Sequence, residues 1–164
     1  MLKTRLPFAI AALALLTAPV FGQASALERG SDNMEVLGHV PLGKHSSVTD
    51  IELEQDLDRP YAYIGRASIV DGGPKGMDVI DLSDPAHPEV VYRFRLDNQD
   101  LLPNRGGMDV KYFRTGGRHY VVQSFEFSGG PEYELGAVVF DVTDLPSPDG
   151  VKEVARLELP DNPG

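Results

Sequence analysis

Four short strand-like segments occur in one order and then occur again, and this repeat restricts the fold more than any other property of the chain. Val48-Thr49-Asp50-Ile51-Glu52-Leu53 alternates apolar and polar residues, as a strand with one wetter face does. Gly107-Met108-Asp109-Val110-Lys111-Tyr112 matches it at an offset of 59 residues. Arg59-Pro60-Tyr61-Ala62-Tyr63-Ile64 is matched at the same offset of 59 by Arg118-His119-Tyr120-Val121-Val122-Gln123. Met77 to Asp84 returns at an offset of 60 as Ala137 to Asp144, and Pro88 to Leu96 returns as Val151 to Leu159. One such match arises by chance; four in the same order do not.

Each unit reads as an antiparallel meander of four strands. The link from second to third strand carries Gly72-Gly73-Pro74 in one copy and Gly129-Gly130-Pro131 in the other. The link from third to fourth is Asp84-Pro85-Ala86-His87-Pro88, or Asp144-Leu145-Pro146-Ser147-Pro148-Asp149-Gly150. Asp and Ser/Thr side chains bond nearby backbone amides and Pro presets φ, so both links read as turns. The third strand is apolar on both sides, through Val79, Ile80 and Leu82 in one copy and Val138, Val139, Phe140 and Val142 in the other. A strand buried on both faces needs that pattern. With 17 glycines, 13 prolines and no convincing helical period, the sequence predicts an all-β chain of β-propeller blades stacked face to face. A two-sheet sandwich accounts for the alternation but gives no reason for the long period.

Met77-Asp78-Val79-Ile80-Asp81-Leu82-Ser83-Asp84-Pro85 resembles the defining stretch of the LVIVD-repeat proteins, and Ala137 to Asp144 is a second, looser match. In that pattern four aliphatic residues precede Asp, an aliphatic residue, Ser, Asp or Asn, and Pro. Here Asp78 replaces an aliphatic residue, and Leu145 stands at the Pro position. The resemblance implies a secreted or surface β-propeller and says little about activity. It also gives a place to Met34 to Leu42, which looks like a fourth strand without the three before it. The expected division is a leader over 1–26, a linker over 27–34, an amino-terminal strand over 35–43, blades over 44–97 and 98–160, and the start of a further loop over 161–164. Propellers typically hold four to eight blades. Two blades read as the amino-terminal fragment of a larger one, whose last blade the strand over 35–43 is expected to complete.

Met1 to Ala26 has the parts of a secretory signal: Lys3 and Arg5, an apolar run from Leu6 to Val20, and small residues at Ala24-Ser25-Ala26. The run is shorter than the roughly twenty residues of a spanning helix. Cleavage after Ala26 or Ala24 and a secreted or periplasmic location are expected. The chain carries 25 acidic and 15 basic residues, a formal charge of −10. Loss of Lys3 and Arg5 with the leader takes it to −12. Such a surface repels phosphates and argues against nucleic acid or anionic lipid as partner. The absence of cysteine excludes disulfides, Cys-based zinc sites and thiol nucleophiles.

In a propeller the fourth-to-first and second-to-third loops open on one face, which singles out His45, Asp50, Arg105 and Asp109 as binding candidates. Each has a plainer use, as a solvated loop histidine, an amide-capping aspartate or a surface ion pair. Asp81, Asp84, Asp141 and Asp144 repeat with the turns. They read as structural, because an active site is built once whereas a turn is needed in every blade. No metal spacing, phosphate loop or nucleophile elbow is present, no catalytic residue is assigned and no cofactor is expected, although the acidic composition leaves calcium open. The leading expectation is an exported binding module for a protein or carbohydrate surface ligand. The alternative is an exported hydrolase or oxidoreductase with its active site at the channel mouth, and a third is a purely structural scaffold.

Overall fold

The computed structural model describes residues 30–43, 47–68, 73–102 and 105–159. The leader, His45 and the stretch 161–164 lie outside the described residues. β1 (Val48–Leu53), β2 (Tyr61–Arg66), β3 (Gly76–Asp81) and β4 (Glu89–Arg95) form one antiparallel sheet in chain order. β5 (Gly106–Thr115), β6 (Arg118–Glu126), β7 (Leu135–Asp141) and β8 (Lys152–Glu158) form a second. The all-β class and the two meanders agree with the repeat.

The repeat reaches even the irregularities of the ladders. The β1–β2 register breaks between Val48 and Ile51, and the β5–β6 register between Gly107 and Val110. A second break falls between Val79 and Ile80 against β4, and its counterpart between Val139 and Phe140 against β8. Breaks of this kind increase the local twist of a strand; the second sheet has one more, between Leu135 and Ala137, with no counterpart in the first. Between β5 and β6 the chain reverses through Gly116 and Gly117, with φ of 56° and 75°. Two positive φ angles in a two-residue connection are what a tight hairpin needs, and glycine adopts them without a Cβ penalty.

Side chains alternate across a strand, so each sheet has two faces. Tyr61, Tyr63, Met77 and Val79 lie on the face of the first sheet that turns to the second, and all are buried. They join Val110, Val121, Val138 and Phe140 in one core. Phe94 of β4 meets Phe140 edge-on at 4.8 Å and Phe125 at 6.2 Å. The backbones approach most closely where β5 meets β1 and β2. Gly65 permits this, since a Cβ there would sit 2.4 Å from the carbonyl oxygen of Met108. Thr49 Oγ1 donates to the carbonyl of Gly107 at 2.6 Å, and Ala67 bridges Gly106. The sheets thus touch along their first strands, while β8 stands exposed along its whole length.

The opposite face of the first sheet is buried as well. Ala62, Ile64 and Ile80 are covered by Val40 and Leu42 of the amino-terminal segment. Within residues 36–42, Val36, Gly38, Val40 and Leu42 are the more buried positions and alternate with exposed ones. Gly38 passes so close to the β3–β4 turn that a Cβ would meet the carbonyl oxygen of Pro85 at 2.2 Å. The segment expected as a strand over 35–43 has no regular secondary structure and pairs with no other strand among the described residues.

Candidate functional site

Antiparallel order brings the start of β1 and the connections β2–β3, β4–β5 and β6–β7 to one end of the two sheets. The β1–β2, β3–β4, β5–β6 and β7–β8 turns lie at the other end. Arg105 sits at the loop end with φ of 57°, about half exposed, and its guanidinium pairs with Glu126. Its carbonyl accepts the Ser68 amide at 3.1 Å, tying the loop of one sheet to the loop of the next.

Asp50 is a joint between sheets. Its Oδ2 accepts the Val110 amide at 3.2 Å and the Lys111 ammonium at 2.9 Å. Partial burial pushes the carboxyl up, but the Lys111 and backbone donors outweigh it and hold the group below the usual carboxylate range. Asp109, its repeat counterpart, is exposed, and its carboxylate accepts no hydrogen bond among the described residues. Asp81 Oδ1 accepts the amide of Ser83 at 2.8 Å, and Asp141 Oδ1 accepts that of Thr143 at 3.0 Å. Burial pushes the Asp141 carboxyl up, yet hydrogen bonds from Thr143 and Arg118 bring it down to about 2. Asp84 accepts the Ala86 amide at 3.0 Å and lies 2.8 Å from His87 Nδ1, while Asp144 lies 3.4 Å from Lys152 Nζ.

The charges that sequence reasoning did not single out are the buried ones. Arg66 Nη1 donates to Asp78 Oδ2 at 2.9 Å, with both side chains almost fully buried. Arg95 Nη2 donates to the other oxygen of Asp78, and Arg95 Nη1 to the carbonyl of Met77 at 3.0 Å. Arg66 Nη2 also donates to Ser47 Oγ at 2.8 Å and to the carbonyl of Leu42, which fastens the amino-terminal segment to the sheet. Burial lowers the Arg66 pKa from its ordinary value against the opposing pull of Asp78. By the repeat, Arg66 and Asp78 correspond to Phe125 and Val138 in the second sheet, both apolar and buried. The ion triad is therefore built once, not in each sheet. The signal for it was Asp78, the polar residue in an aliphatic position.

Arg95 also lines an open cleft of about 290 Å³ with Gly73, Pro74, Gln99 and Asp100. Gln99 Oε1 accepts the Lys75 amide at 2.7 Å, which holds the cleft wall against β3. The lining offers a guanidinium donor, an amide and an acidic acceptor, a set suited to a hydroxyl-rich or polar ligand.

At the turn end a second polar cluster crosses between the sheets. Arg59 Nε donates to Glu54 Oε2 at 3.1 Å, and Tyr63 donates its hydroxyl to Glu54 Oε1. Arg59 also donates to the carbonyls of Thr143 at 3.1 Å and Val142 at 2.9 Å. Tyr112 Oη and His119 Nδ1 are 2.6 Å apart. Burial, reinforced by Arg59, holds the His119 pKa below its usual value, and burial with the Glu54 charge raises that of Tyr63. The Glu54 side chain has no exposure to solvent, so this cluster joins the sheets rather than receiving a ligand. Among the described residues no group of His, Asp and Glu is arranged to hold a metal ion. Neither a protein-family model, nor a curated protein, nor a solved structure matches this chain.

Proposed function

We propose that the chain is part of an exported β-propeller of the LVIVD-repeat type that binds a polar surface ligand, a carbohydrate chain in the first instance, at the loop end of its sheets. The observation that carries this reading is the cleft lined by Arg95, Gln99 and Asp100 over a buried ion triad present in only one sheet. A repeat that needs charge for folding alone would use it in every copy. The exposed Tyr133 belongs to the β6–β7 connection at the same end and offers the kind of aromatic face on which a sugar stacks. The segment over 36–42 crosses the first sheet on the face where β4 crosses the second, the position from which it would complete a last blade.

The test is a binding screen of the mature protein against an array of neutral and acidic oligosaccharides, followed by calorimetry on the best one. Asp100→Ala and Arg105→Ala each weaken binding at least about tenfold, the scale of one lost charged hydrogen bond. Asp58→Ala, at the turn end, leaves it unchanged. No binding on the array, or affinity indifferent to both loop-end variants, refutes the site. Fractionation of cells expressing the protein with and without residues 1–26 tests export separately.

A further inference from the structure

The loop end of the first sheet buries more positive charge than negative. Lys75 is only 2% exposed, and its ammonium has no carboxylate partner among the described residues. Arg66 and Arg95 both pair with Asp78, the one buried acid at this end among the described residues. Three cations thus share the loop end with one buried carboxylate. A charge taken out of water is held only where an opposite charge or several hydrogen bonds compensate it. Asp97 and Asp100 are exposed, so solvent screens what they contribute.

Packing does not require this excess. The repeat sets Leu135 at the position of Lys75, beside Phe125 and Val138 at those of Arg66 and Asp78, and all three are buried. The second sheet therefore fills the same positions with apolar side chains. Two buried polar atoms, Arg66 Nε and Gln123 Oε1, are also left without a hydrogen-bond partner. Gln123 itself stands where the repeat has the apolar Ile64. Neighbouring glycines of β5 bring these side chains close. A Cβ on Gly106 would meet Lys75 Cγ at 3.0 Å, and one on Gly107 would meet Gln123 Cδ at 3.1 Å. Lys75 follows Pro74 of the cleft wall, its amide is held by Gln99 of the same wall, and Arg95 belongs to both the cleft and the triad.

We infer that the cleft takes a saccharide that carries a carboxylate, a uronate by chemical class, with its acidic group drawn by Arg95 and Lys75 and its hydroxyls by Gln99 and Asp100. The inference rests on the carbohydrate reading above and narrows its ligand. A carboxylate there offsets the excess of cations in a site partly shielded from water, where charge pairs are stronger than in bulk solvent. A neutral sugar leaves that excess uncompensated. One negative charge is the favoured load, because the chain as a whole carries −10 and resists a more highly charged partner.

The test compares, by calorimetry on the mature protein, a uronate oligomer with the same oligomer after its carboxyl groups are reduced to alcohols. The acidic form is expected to bind at least about tenfold tighter, the scale of one charge-assisted hydrogen bond, with the gap narrowing as salt rises. Lys75→Leu, which copies Leu135, is expected to keep the fold by circular dichroism and to bring the two affinities together. Lys75→Gln gives the same reading should the leucine variant not fold. Lys152→Leu removes an exposed cation at the turn end and keeps the preference. Equal affinity of the parent protein for the two forms overturns the inference and leaves the carbohydrate reading intact. A preference that survives the loss of Lys75 overturns the site as assigned. Tighter binding of a sulfated neutral oligomer than of the uronate assigns the cleft to sulfate esters and overturns the inference. Binding of neither form overturns it too, and failure of every saccharide overturns the carbohydrate reading with it.

Discussion

Asp78 offers the sharpest test of the energetics. Its side chain is 2% exposed and that of Arg66 is 1% exposed, so Asp78→Val leaves a buried guanidinium facing a methyl group. Removing one member of a buried ion pair costs about 3–5 kcal/mol, because the remaining charge has lost its water and its partner. Arg95 suffers less, since its side chain is 26% exposed and can turn to solvent. The second sheet shows what an apolar version looks like, with Phe125 and Val138 at these positions. The double variant Arg66→Phe/Asp78→Val copies that pair and is expected within about 1 kcal/mol of the parent, or above it, as apolar replacements of buried pairs often are. Urea unfolding followed by circular dichroism reads both. With a slope of about 2 kcal/mol per molar, the single variant loses about 2 M in midpoint and the double recovers most of it. A single variant within about 1 kcal/mol of the parent, or a double as unstable as the sum of its parts, refutes the reasoning.

Gly65→Ala places a methyl group against the Met108 carbonyl and should cost about 1–3 kcal/mol by overpacking, measured by the same unfolding curves. Tyr63→Phe removes the hydroxyl donor to the buried Glu54 carboxylate and should cost about 1.5–3 kcal/mol, while Phe113→Tyr, on the exposed face, should cost nothing measurable. Asp141 has its folded pKa depressed from 3.8 to about 2, so its contribution is present above about pH 4 and is lost as pH falls towards 2. Asp141→Asn should therefore flatten the fall of the urea midpoint across that window, and an unchanged acid limb would contradict the assigned Thr143 and Arg118 bonds.

The positions of all eight strands were legible because the information is local. Alternation of side chains and the Asp, Gly and Pro residues of the turns are properties of a few neighbouring residues. Pairing within each sheet followed, since links this short force neighbours in sequence to become neighbours in space. The charge network was not legible, because Arg66 meets Asp78 only after a loop that brings together residues 12 apart, and Arg95 meets it from 17. In sequence, Arg66 looks like any cation at a strand end. Asp78 alone carried a trace, as the polar residue in an aliphatic run. The repeated aspartates at 50 and 109 suggested amide capping, but the donor to Asp50 comes from another sheet 60 residues away, a contact no local pattern encodes.

The central claim is that the two sheets meet along their first strands and spread apart towards their fourth. Electron-spin distance measurements on two pairs of labelled cysteines test it directly. One pair, Leu53→Cys with Arg114→Cys, spans β1 and β5. The other, Arg93→Cys with Arg156→Cys, spans β4 and β8. The account predicts a clearly shorter mean distance for the first pair than for the second. Equal distances, as between two sheets lying flat on each other about 10 Å apart, would contradict it.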